Sequence, residues 1–127
     1  MIAADWQFRT LVRAQLLEEG FEVKALPSLE TALAYLIRSG EQPWLTIVDM
    51  QGSENEARAL SDLRRLAGEA PLIVCGGILG CATLNKAALR QQELPPAQVL
   101  LRPFRVGDLV REVRRLRVWL GGSAVIE

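Results

Sequence analysis

Short runs rich in valine and isoleucine alternate with longer stretches of helical period along this chain, and the alternation recurs about five times. No other feature narrows the fold so far. Strands that are apolar on both faces need cover on both. A helix between successive strands provides it when the strands run parallel with right-handed crossovers. The chain is therefore expected to be α/β, with a doubly wound five-stranded parallel sheet and five helices. Residues 1–4 supply a short first strand. Residues 6–19 follow as a helix with Phe8, Leu11, Val12 and Leu16 on one face and Gly20 as its stop. Residues 21–25 alternate as the second strand. Ser28 then caps a helix buried through Leu29, Leu33, Leu36 and Ile37, which ends near Ser39-Gly40.

The third strand, residues 44–48, ends at Asp49, and Ser53-Glu54-Asn55-Glu56 reads as a capping box opening a helix with Ala57, Leu60, Leu63 and Leu66 inward. Residues 71–75 form the fourth strand, stopped by Gly76-Gly77. A weaker helix covers residues 82–92, Pro95-Pro96 ends that segment, and residues 98–101 form the last strand, closed by Arg102-Pro103. Val106, Leu109, Val110, Val113, Leu116 and Leu120 keep the period of the final helix up to Gly121-Gly122. Residues 1–120 are thus read as one domain, and 121–127 as a C-terminal tail or the start of a linker.

Composition removes whole classes of chemistry. The 15 Lys+Arg cancel the 15 Asp+Glu, and there is no histidine. Without histidine there is no Ser-His or Cys-His nucleophile, no histidine-ligated zinc, and no phosphohistidine donor. The two cysteines, Cys75 and Cys81, are too few for a disulfide scaffold and do not form C-x-x-C. The glycine-rich stretch between them matches neither G-x-G-x-x-G nor the P-loop. No secretory leader or membrane-length apolar run is recognised, so a cytoplasmic protein without membrane contact is expected. Neutral charge argues against direct nucleic-acid binding by the domain. The charge is uneven all the same, with six arginines from Arg102 onward against Asp108, Glu112 and Glu127.

In doubly wound sheets chemistry sits beyond the carboxyl ends of the strands, here Ala3-Ala4-Asp5, Asp49, Cys75-Gly76-Gly77 and Arg102. Three segments carry a resemblance. Trp44-Leu45-Thr46-Ile47-Val48-Asp49-Met50 is similar to a strand presenting a phosphoacceptor aspartate. Val99-Leu100-Leu101-Arg102-Pro103-Phe104 is similar to a closing strand with its Lys-Pro-Phe turn. Leu16-Leu17-Glu18-Glu19-Gly20-Phe21-Glu22-Val23 matches a first helix running into a second strand. In this order they resemble the receiver domain of two-component response regulators over nearly the whole chain. The resemblance implies a flavodoxin-like sheet of strand order 2-1-3-4-5 and a cis Arg102-Pro103 bond.

The departures fall on the site that the resemblance implies. Ala3 and Ala4 stand where the family has an acidic pair that helps hold magnesium, and Asp5 takes the next position. Asp49, with Asp5 beside it, leaves too few hard oxygens for more than weak magnesium binding, so no tightly held metal or other cofactor is expected. Gly76 replaces the switch Ser/Thr, Arg102 replaces the lysine, and Val99 replaces the switch aromatic. The implied reading is a degenerate receiver with no enzymatic activity, acting as a docking or dimerisation module in phosphorelay signalling. Its partner would be a histidine kinase, an output domain or a second copy.

Two alternatives stay open. In one, Asp49 accepts a phosphoryl group from a histidine kinase. In the other, the strand-end crevice binds a nucleotide in the manner of a flavodoxin-like protein. For Asp49 the contrast is between phosphoacceptor and a carboxylate locked to Arg102. For the last helix, Arg111, Arg114 and Arg115 with Trp119 are either a partner surface or a solvated face.

Overall fold

The computed structural model describes residues 1–51, 56–67, 70–77, 97–120 and 125–126, with backbone alone for 57, 97, 98, 118–120, 125 and 126. The elements follow in the order α1 (Trp6–Glu18), β1 (Glu22–Val23), α2 (Leu29–Ser39), β2 (Thr46–Met50), α3 (Glu56–Ala67), β3 (Leu72–Gly76), β4 (Ala97–Leu101), α4 (Val106–Leu120) and β5 (Val125–Ile126). The protein is α/β, built on a parallel sheet of order β2-β3-β4 in which Asp49 is level with Cys75 and Cys75 with Leu100. The helix expected over 82–92, Pro95-Pro96, Ser53, Cys81 and the Gly121-Gly122 stop lie outside the described residues.

Alternation along the strands sorts the core into two layers. Ile47, Ile73 and Cys75 face Val12 and Leu16 of α1 and Leu109, Val110 and Val113 of α4. Val48, Met50, Leu72 and Val74 face Leu29, Ala32 and Leu36 of α2 and Leu60 and Leu63 of α3. The sheet is therefore covered on both faces, and that is why its strands read as unbroken apolar runs.

The first strand is shorter than expected. Ile2 makes single parallel bridges to Leu26 on one side and Val48 on the other. The amide of Ile2 donates to the Ile47 carbonyl at 2.8 Å, and that of Asp49 to the Ile2 carbonyl at 2.8 Å, while Ala3 and Leu26 exchange amides with the opposite segment. Residues 1–3 thus thread between 24–26 and β2. The second strand shrinks to Glu22–Val23, and its partner is β5, in parallel register with Glu22 level with Val125 and Val23 with Ile126. That pairing has no periodic signal behind it.

Helix ends follow their chemistry. The Asp5 carboxylate accepts from the Gln7 and Phe8 amides at the start of α1, and Ser28 accepts from Thr31 at the start of α2. Gly40 closes α2 at φ +66°, a conformation that glycine adopts at no steric cost. Two residues assigned inward do not bury: Leu11 is 50% exposed and Ile37 70% exposed. In α2 the seam runs through Leu29, Ala32 and Leu36, and Ile37 lies beyond its edge. Among the described residues no helix is long and apolar enough to cross a membrane.

An ion pair ties the two helices of one layer. The Arg114 Nε of α4 donates to Glu19 Oε2 at 2.8 Å, and Nη2 meets the other oxygen. The bond from Arg114 holds the Glu19 carboxyl below its ordinary pKa of 4.5. A carboxyl with a lowered folded pKa adds stability above its unfolded value and loses it as pH falls through the folded one. Arg114→Ala is therefore expected to cost a small, salt-sensitive stability at neutral pH, with the gap to the parent closing as pH drops below the ordinary glutamate range. Urea unfolding at stepped pH and two salt concentrations measures it. A gap that persists at low pH overturns the assignment.

Candidate functional site

Asp49 lies in the last turn of pleat of β2, and its side chain is only 1% exposed. A carboxylate removed from water at this depth requires donors. Arg102, one residue past β4, supplies two of them: Nη1 donates to Oδ1 at 2.8 Å and Nη2 to Oδ2 at 3.0 Å. The two residues are 53 apart in sequence, and β3 lies between their strands. Two inter-strand spacings are about 9.6 Å, so a long side chain is needed to close that gap. The planar fork then meets both oxygens together, which a lysine ammonium does not. Gln51 Nε2 adds a third contact to Oδ2 at 3.3 Å.

The cation is fixed from its other side by aromatic rings. The Arg102 guanidinium carbon lies 5.1 Å from the Phe8 ring centroid and 5.7 Å from that of Phe104. The two rings meet edge to face at 5.9 Å. The Asp49 bond pushes the Arg102 pKa above its ordinary value, against the opposing effect of burial. The peptide bond from Arg102 to Pro103 is cis, and the Arg102 amide donates to the Gly76 carbonyl at 2.9 Å. One residue thus links β2, β3, β4 and α1.

Ala3 and Ala4, at the end of the first segment, carry a different arrangement. Ala3 is buried beneath the sheet end. Arg9 Nη1, reaching back from α1, donates to the Ala3 carbonyl at 2.7 Å and lies 3.5 Å from that of Ala4. The Asp5 carboxylate is engaged at the start of α1, with Oδ1 accepting from the Gln7 amide at 2.9 Å and the Phe8 amide at 3.3 Å. Beyond them a crevice of about 200 Å³ is lined by Ala3, Ala4, Pro27, Asp49, Gln51 and Glu56, among others. The Gln51 amide donates to both Glu56 oxygens at 2.8 and 2.9 Å, tying the loop after β2 to the first turn of α3.

This donor set does not fit a divalent magnesium ion. Such an ion needs several hard oxygens in octahedral array. Both Asp49 oxygens already accept from a guanidinium, Asp5 caps a helix, and Arg9 brings a second cation to the Ala3 and Ala4 carbonyls. Among the described residues no group of three metal-ligating side chains comes together.

Gly76 sits at φ +150°, and a Cβ built there would stand 2.8 Å from the Met50 carbonyl oxygen. Strand β3 packs against β2 so closely that a switch hydroxyl has no room on this backbone. Val99, at the switch-aromatic position, is 41% exposed on β4. The last-helix arginines are engaged within the chain: Arg114 with Glu19, Arg115 with Glu112 at 2.8 Å, and Arg111 with Asp108 at 3.7 Å. The Trp119 side chain lies outside the described residues. Arg9 and Gln51 were not singled out from sequence, and Phe8 and Phe104 were placed only on a helix face and in the closing turn, not against Arg102.

No known protein-family model matches this chain, and no curated protein matches it.

Two substitutions test the geometry. Breaking a buried ion pair costs about 3–5 kcal/mol when both partners are enclosed, and the 41% exposure of the Arg102 side chain reduces this. Arg102→Ala is expected to destabilise by about 2 kcal/mol, with the Asp49→Ala/Arg102→Ala double variant losing less than the sum. Strict additivity in urea melts sinks the pairing. Gly76→Ala is expected to cost about 2–3 kcal/mol through the positive φ and the Met50 contact. An unchanged unfolding midpoint refutes that.

Proposed function

We propose that this chain is a degenerate receiver-like module of two-component signalling, one that docks a partner protein through its surface and does not switch by magnesium-dependent phosphorylation. The observation that carries the reading is the Arg102 fork on both oxygens of Asp49. A phosphoacceptor needs one carboxylate oxygen free to attack phosphorus and another beside a divalent cation. Here the guanidinium holds the two together, and Arg9 adds positive charge at the next strand end. The bistable element that a switch requires is replaced by a single satisfied arrangement.

The finer fold expectation belongs to the same proposal. The Ile2 bridges to Leu26 and Val48, joined to β2-β3-β4, support a five-stranded flavodoxin-like order of 2-1-3-4-5. The partner is a histidine kinase, an output domain or a second copy, and the setting is the cytoplasm.

The purified chain, incubated with magnesium and either a small acyl phosphate or beryllofluoride, is expected to form no adduct and to show no change in thermal midpoint. An adduct by intact mass that disappears in Asp49→Asn would overturn the proposal in favour of a phosphorylatable receiver.

A further inference from the structure

The edge strand β1 has two differently used sides. On its inner side, the Met1 ammonium donates to the Lys24 carbonyl at 2.7 Å, and the Leu26 amide to the Met1 carbonyl at 2.8 Å. In a parallel ladder successive residues direct their main-chain groups to opposite neighbours. Lys24 and Leu26 therefore serve residues 1–3, while Val23 and Ala25 present theirs outward. On that outer side lies β5, with Glu22 level with Val125 and Val23 with Ile126. The described pairing stops there, short of Ala25. Beside this edge runs a groove of about 570 Å³ lined by Leu17, Glu22, Val23, Lys24, Glu41 and Gln42. Its Leu17 is 42% exposed.

We propose that the outer edge of β1 is a strand-addition site for an extended parallel segment, occupied in cis by Val125–Ile126 and in trans by the same segment of a second copy. An open sheet edge is a template for any strand that brings matching amides and carbonyls, and β-branched residues such as valine and isoleucine suit it. The occupant is identified by what already sits there: the identical segment from a second copy makes the same contacts. A two-residue pairing is a weak closure, so the cis and trans forms differ little in contacts and are separated by protein concentration. This inference deepens the docking reading above by giving it a surface, and it does not depend on the state of Asp49.

The test uses the full chain and a labelled peptide of sequence Ser-Ala-Val-Ile-Glu, copied from residues 123–127. A Val125→Pro/Ile126→Pro variant cannot lay its own segment on the edge, because proline lacks the ladder donor. It is expected to bind the peptide about tenfold or more tightly than the parent chain, whose own segment competes at a high effective concentration. Sedimentation of the parent at rising concentration is expected to reveal a reversible dimer that the proline variant lacks. Equal peptide affinity for both chains, no binding above a scrambled peptide, or self-association unaffected by the prolines would each overturn the proposal. All of these readouts are independent of phosphodonor chemistry, so failure here leaves the reading of Asp49 standing, and an Asp49 adduct leaves this one standing.

Discussion

The bond on which the site depends is the one between the Asp49 carboxylate and the Arg102 guanidinium. A charge buried this deeply at the end of β2 costs several kcal/mol unless it is matched, and the match has to come from outside its own strand. Arg102 provides it across β3 and is itself held by Phe8 of α1 and by Phe104. Several features of the neighbourhood are compatible with this one pairing. The Arg102 amide donates to the Gly76 carbonyl, the Gly76 backbone approaches Met50 too closely for a side chain, and Gln51 adds a second donor to Asp49 Oδ2.

Under the proposed receiver-like reading, the residues at Ala3, Ala4, Gly76 and Arg102 belong together. With alanine at positions 3 and 4, the charge that meets Asp49 is the Arg102 guanidinium. A compact ammonium would satisfy one oxygen and leave the other short, whereas a planar fork satisfies both. With both carboxylate oxygens engaged by Arg102, Gly76 lets β3 approach the Met50 carbonyl more closely than a side chain would allow. On that proposal these four residues go with one fixed ion pair in the place where a switching pocket would need free ligands.

The elements were largely legible in the sequence because helical and strand periods are local. Val12, Leu16, Leu29, Leu36, Leu60, Leu63, Leu109, Val110 and Val113 bury as the spacing required. Leu11 and Ile37 fit the same apolar count and are nonetheless exposed, since a helix stripe has edges and the neighbour's position decides where they fall. In the site, Asp49, Gly76 and Arg102 were found by their place at strand ends. Arg9, Gln51 and the two phenylalanines were not, because each acts through backbone carbonyls, amides or ring faces, which no residue pattern encodes. The arginines of α4 looked like an open basic face in sequence, yet Glu19, Glu112 and Asp108 engage three of them.

The sequence by itself determined the parallel α/β class, the approximate places of α1 to α4 and of sheet strands β2 to β4, and the exclusion of histidine chemistry, because periodicity and composition need no partner to be read. Tertiary structure alone decided that Asp49 meets Arg102 and not water, that Arg9 turns back onto the Ala3 carbonyl, and that Val125–Ile126 lies along β1. Each of these joins residues far apart in sequence or turns a side chain to the main chain, and only the packed sheet brings such groups within hydrogen-bonding distance.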